Sequence, residues 1–232
     1  MMRLYIGNKN YSSWSMRPWV LMRQSGIAFE EVQLRFDNFL DSARYPDSPF
    51  KQALAKVTPV GKVPVLVDGD LAVWDTLAIA EYLAESFPEK QLWPQQRAAR
   101  AHARSLCAEM HSGFGALRSH CPLNIEADLA HTGALLWRDQ AALRADVQRI
   151  ATMWSGLLQA HGGPMLFGSF SIADAYFAPV CSRLRSYALP LPQTLADYVA
   201  RVLALPGVHD WVQQALAEHD FLAFEEPYRL AP

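Results

Sequence analysis

The chain predicts an α/β N-terminal domain followed by an all-helical C-terminal domain. Short apolar runs alternate with helical patterns over the first third. From Arg97 onward strand patterns stop, and apolar residues recur at spacings of three and four. Pro88 lies between the two regimes, where it blocks continuation of the helix before it. The expected division is therefore 1–87, a linker at 88–96, and 97–232.

Leu4-Tyr5-Ile6 reads as a strand, residues 15–24 as a helix ending at Gly26, and residues 29–34 as a second strand, a βαβ opening. Residues 41–59 contain prolines and read as irregular. Two strands, 65–67 and 71–73, are joined by Asp68-Gly69-Asp70, a hairpin turn signal. A helix over 75–86 buries Leu77, Ile79, Ala80 and Leu83. In the second domain Leu106, Met110, Phe114 and Leu117 follow helical spacing. Further helices cover 139–159, 172–184, 195–204 and 206–219, with Gly162-Gly163-Pro164 as a stop and Pro206 in a first turn. Ser171-Ile172-Ala173-Asp174 has the form of a capping box, a folding role.

With 232 residues, 51% of them hydrophobic, the chain can bury a sizeable core. A net charge of -2 and the lack of a long Lys/Arg run argue against nucleic acid or an anionic membrane as the main partner. The N-terminus turns polar too early for a secretory signal, and the uncharged stretch 150–173 is interrupted by Gly162-Gly163-Pro164, so a soluble cytoplasmic protein is expected. Cys107, Cys121 and Cys181 suit reduced, buried thiols. His102, His111 and His120 lack the further ligands of a zinc site, and no metal is expected. Hydrolase, nucleotidase and dehydrogenase motifs are absent.

Two features carry chemistry. Pro64 opens an apolar strand yet cannot donate to a ladder. A cis bond explains it, because it turns the chain and leaves Val63 with N–H and C=O groups free to pair an extended ligand. Asp75-Thr76 opens a helix directly after a strand, where N–H groups and a hydroxyl hold a carboxylate while Asp75 pairs an ammonium or caps the helix.

These features, with Tyr11-Ser12-Ser13-Trp14-Ser15-Met16-Arg17-Pro18-Trp19 and Gly168-Ser169-Phe170-Ser171-Ile172-Ala173-Asp174-Ala175, resemble the glutathione S-transferase superfamily over the whole chain. The resemblance implies a thioredoxin-like first domain, the glutathione transferase fold, glutathione as co-substrate and a homodimer acting in detoxification. The pattern from Ser12 to Arg17 is similar to zeta-type enzymes, which include maleylacetoacetate isomerases. Trp14 stands where their motif has a Cys, which removes cysteine-thiol chemistry at that site.

A free thiol has a pKa of about 8.5, so a transferase must favour the thiolate. Ser13 is the expected donor, with Ser12 as its rival and Ser15 as the helix cap. The resemblance assigns glutathione to Trp14, Lys62 at the glycyl carboxylate, Val63, Pro64, Asp75 and Thr76. Met110, His111, Phe114 and Arg118 are expected to face the cleft and line the site for a small hydrophobic electrophile, with Tyr11 as a pocket wall. The expected activity is conjugation of the glutathione thiolate. The alternatives are a glutathione-dependent cis–trans isomerase and a non-catalytic binding module related to stringent-starvation proteins.

Overall fold

The structure is a computed structural model that describes residues 1–41 and 43–231. In β1 (Arg3–Ile6), Leu4 and Ile6 belong to one core and Tyr5 to another, as the period of two requires. The chain continues through α1 (Ser13–Gln24), β2 (Glu30–Gln33), a 3-10 turn (Tyr45–Asp47), α2 (Pro49–Ala55), β3 (Val65–Asp68), β4 (Leu71–Trp74) and α3 (Thr76–Ser86). The sheet order is β2-β1-β3-β4, with β1 and β2 parallel and the other pairs antiparallel. Leu4, Ile6 and Leu66 cluster with Met16 and Val20 of α1 and with Ile79 and Leu83 of α3. On the opposite face Tyr5, Val65 and Val67 cluster with Phe50 and Leu54 of α2. This four-stranded mixed sheet between helices is thioredoxin-like.

The elements that follow among the described residues are helical, apart from two isolated bridges at 165–169: α4 (Arg97–Ser112), α5 (Gly115–His120), α6 (Ala130–Asp139), α7 (Ala141–His161), α8 (Ile172–Ser186), α9 (Gln193–Leu203) and α10 (Pro206–Glu218), then a 3-10 turn at Ala223–Glu225. In α8 every residue from Ile172 to Leu184 is buried, which makes it the central helix of this half. Helix α1 packs against α8 and α10, so one apolar core runs through both halves. Glycine at 207 permits the closeness of α10, because a Cβ there would lie 3.0 Å from the backbone nitrogen of Gln24. Beyond α10 the chain returns to the sheet, where Asp220 accepts hydrogen bonds from Asn8 and Arg35. Among the described residues no helix is long and apolar enough to cross a membrane.

Three local expectations are corrected. The cap of α1 is Ser12 rather than Ser15: Ser12 Oγ accepts from Ser15 N–H at 3.4 Å, and the helix begins two residues earlier than its apolar pattern. The region read as irregular contains α2, capped by Ser48 and opened by Pro49 at a first-turn position. The helix expected from 139 begins at Ala141, because the extended backbone of Gln140 separates it from α6.

The Ser171–Asp174 pair does fix the start of α8. Asp174 is fully buried and accepts from Ser171 N–H (2.9 Å), Ser171 Oγ (3.1 Å), Leu166 N–H (3.1 Å) and Tyr198 Oη (3.0 Å). Burial pushes its carboxyl pKa up while these donors pull it down. Asp174→Ala strands several buried donors, each worth about 1–3 kcal/mol. The expected result is a loss of at least about 3 kcal/mol, seen as a fall of ~10 °C in the thermal midpoint. A shift below ~2 °C would contradict this account of α8.

Candidate active site

The cleft is built where the start of α1, the loop before β3 and the start of α3 converge. The Val63-Pro64 bond is cis, and neither the N–H nor the C=O of Val63 has a hydrogen-bond partner among the described residues. Trp14, Lys62 and Val63 border two adjoining hollows. One, of about 350 Å³, is completed by Val60, Pro64, Trp74, Asp75, Thr76 and His111. The other, of about 510 Å³, holds Tyr11, Ser12, Ser13, Arg118, Arg183 and Glu225, facing an aromatic wall of Phe36, Phe39, Tyr45 and Phe50. A further depression of about 580 Å³, beside His102 and His161, contains none of the expected site residues.

In the smaller hollow Asp75 takes a left-handed backbone (φ 75°), an uncommon state for a residue with a side chain. Its carboxylate caps α3 by accepting from Leu77 N–H at 2.8 Å and lies 3.3 Å from His111 Nε2. Thr76 Oγ1 shares a 2.7 Å hydrogen bond with the buried Tyr176 hydroxyl, which orients the first turn of α3. The helix start thus presents N–H groups and positive dipole to the hollow. Lys62 is exposed at its edge, without an ion pair among the described residues.

The hydroxyls of Tyr11, Ser12 and Ser13 all border the larger hollow and differ in what they already do. Tyr11 donates to Glu226 at 2.8 Å, and burial pushes its pKa up to about 12, so it is committed to the C-terminal segment. Ser12 is buried and donates to Ser15 Oγ at 2.7 Å, while Ser15 Oγ in turn accepts from Gly7 N–H at 3.1 Å. Ser13 accepts from Arg183 Nη2 at 3.3 Å, and its own hydrogen has no acceptor among the described residues. Of the three, only Ser13 has a hydrogen to give to a sulfur in the cleft.

Trp14 is the hub between the hollows. Its ring meets His111 edge-on at 5.0 Å, and the guanidinium carbons of Arg17 and Arg118 lie 4.3 and 5.9 Å from its centre. Arg118 Nη1 also donates to the His111 carbonyl at 3.2 Å, tying α5 to the end of α4.

The family model described as the glutathione S-transferase N-terminal domain matches residues 11–86, and the one for the C-terminal domain matches residues 96–214. The chain belongs to the glutathione S-transferase family.

Glutathione S-transferase 1 of Dianthus caryophyllus is 30% identical over 180 residues, 77% of this chain and 75% of that one. A probable maleylacetoacetate isomerase of Caenorhabditis elegans is 30% identical over 88% of this chain and 92% of its own. A stringent starvation protein A homolog of Pasteurella multocida is 26% identical over 64% of this chain and 66% of its own. A solved glutathione transferase homolog from Burkholderia GL BGR1, with bound glutathione, shares the fold at a TM-score of 0.67 and 24% identity, covering 92% of this chain and 97% of that one.

In this member of the family, two residues expected at the electrophile lie elsewhere. Met110 belongs to the buried stripe of α4 with Ala103, Leu106 and Cys107. Phe114, left-handed at φ 54°, turns into the core at the break between α4 and α5. Their helical spacing put them on one face, and that face is the core. Arg183 and Glu225 were not anticipated. For Arg183 a signal existed, since a charge inside the wholly buried run of α8 is exceptional. For Glu225 there was none, because it reaches the cleft only through the return of the C-terminal segment.

Burial, with the neighbouring Glu226 charge, pushes the Glu225 pKa up from 4.5 to about 7. The folded state therefore holds this proton more tightly than the unfolded state. Its contribution to stability is full below pH 4.5 and is lost as pH rises through about 7. Glu225→Gln is expected to raise the thermal midpoint at pH 8 and leave it unchanged at pH 4, as read by melts at both pH values. A lower midpoint at pH 8 would overturn the assignment.

Proposed function

We propose that this chain is a glutathione transferase that joins the glutathione thiolate to a small hydrophobic electrophile. The observation that carries the reading is the convergence of an unpaired Val63 backbone, the start of α3 at Asp75-Thr76 and a free Ser13 hydroxyl on one continuous cleft. Glutathione lies extended across it. Its cysteinyl backbone pairs with Val63, its γ-glutamyl carboxylate meets the N–H groups and hydroxyl at Thr76, and its ammonium meets Asp75. Lys62 takes the glycyl carboxylate. Pro64 fixes the turn, and Trp14 walls the thiol.

Ser13 donates its hydrogen to the sulfur and, with the dipole of α1, favours the thiolate. The thiol proton leaves to solvent, and the sulfur attacks an electrophile held against the aromatic wall with Tyr11, His111 and Arg118 nearby. Catalysis then consists of nucleophile activation and proximity. The occupied hydroxyl of Ser12 makes it a support for α1 rather than the sulfur donor. The division into 1–87, 88–96 and 97–232, a homodimer, a cytoplasmic setting and detoxification belong to the same reading.

The similarity to a probable maleylacetoacetate isomerase favours a second reading, in which the same thiolate adds to a conjugated double bond and leaves after rotation. The aromatic wall is the feature that makes a hydrophobic electrophile the first choice.

The test is turnover of an activated aryl halide and of maleylacetoacetate by wild type and Ser13→Ala. The expected result is aryl-halide conjugation that falls on the order of 10²-fold in kcat when Ser13 is replaced, with the KM for glutathione changed far less. Turnover of maleylacetoacetate alone would establish the isomerase. A cleft that fails to bind glutathione would leave the binding module. Lys62→Ala is expected to raise the KM for glutathione by about tenfold with kcat kept, as lost uniform binding does.

A further inference from the structure

The inner side of the cleft carries arginines that no carboxylate pairs directly among the described residues, while Asp37, Asp75 and Glu225 line the two hollows. Arg17 and Arg183 are both buried, and neither they nor Arg118 form an ion pair among the described residues. Arg17 stacks between Trp14 and Tyr176, at 4.3 and 4.7 Å, with Nε and Nη1 unpartnered. Arg183 lines the larger hollow, with Nη1 unpartnered and Nη2 donating to Ser13 Oγ at 3.3 Å.

Unpaired buried charge costs stability, so such a group calls for a ligand or a function to offset it. Among the described residues no carboxylate forms an ion pair with Arg17 or Arg183, although the Asp75 charge acts on Arg17 from a distance. Burial pushes Cys121 up to about 12 and Tyr187 higher still, so both stay neutral beside Arg183. Glu225 lines the same hollow as Arg183 without an ion pair to it among the described residues, and burial pushes its carboxyl up to about 7, which leaves it about half ionised at neutral pH. Burial lowers Arg17 and Arg183 to about 10, which leaves both charged at neutral pH.

We propose that Arg183 is a positioning residue for the thiolate: its guanidinium occupies an acceptor site of Ser13 Oγ, which turns the serine hydrogen away from Arg183 toward the cleft, and the sulfur anion gives the guanidinium a counter-charge. This rests on the reading of Ser13 as the thiol donor. A hydroxyl that accepts from a cation is a stronger donor, and its hydrogen is excluded from the side that the arginine occupies. Arg17 and Arg118 add field from behind and beside Trp14. Helix α8 thereby acts on the nucleophile through a residue 170 positions from Ser13.

The test titrates the ultraviolet absorbance of glutathione thiolate bound to the full chain, for wild type, Arg183→Met, Arg183→Gln, Ser13→Ala and Ser13→Ala/Arg183→Met. Thermal midpoints are measured alongside. The expected result is a bound thiol pKa below the free value in wild type, raised by at least about one unit, a tenfold loss of thiolate, in both Arg183 variants. The double variant rises by less than the sum of the singles, as for residues acting through one another. Midpoints stay level or increase, because an unpaired buried charge has been removed.

A lowered thiol pKa in wild type that neither Arg183 variant moves would overturn this proposal and leave the transferase reading standing. A wild type that binds glutathione with an unshifted thiol would overturn the Ser13 reading itself. The two neutral variants keep the test decisive should one of them fail to fold.

Discussion

The structure depends on the burial of α1 between two domains. One side of this helix covers the sheet through Met16 and Val20, and it packs also against α3, α8 and α10. Its first turn is fixed by the hydroxyl chain from Ser12 through Ser15 to the N–H of Gly7. That chain consumes two serines as structure and leaves the third, Ser13, facing the cleft. The hydrogen-bond requirements of a buried helix start therefore decide which hydroxyl is available for chemistry.

The same seam explains the charges. A helix with both flanks buried has no solvent for Arg17, which instead lies between two aromatic rings. Helix α8 approaches from the other side carrying Arg183, and its own start is pinned by Asp174 and four hydrogen bonds. Stability is concentrated at Asp174 and given up at Arg17 and Arg183. This is the pattern expected where a site is held rigid so that an unfavourable arrangement can persist beside it.

Much of the cleft was legible in the sequence because its chemistry sits next to backbone signals. Pro64 at a strand start announced a cis bond, and Asp75-Thr76 after a strand announced a helix start. Helix α2 was hidden by the prolines around it, although Ser48-Pro49 is a cap followed by a first-turn proline. Met110 and Phe114 were misplaced because spacing tells which residues share a face and not whether that face meets core or cleft. Arg183 and Glu225 reach the site by tertiary packing across most of the chain, a relation that periodicity does not encode.

The measurement closest to the central claim is a crystal structure of the chain with glutathione. The account predicts the sulfur within hydrogen-bond distance of Ser13 Oγ, the cysteinyl backbone paired with Val63, and the γ-glutamyl carboxylate at the start of α3. Glutathione seated with its sulfur at Ser12 or Tyr11, or outside this cleft, would contradict it.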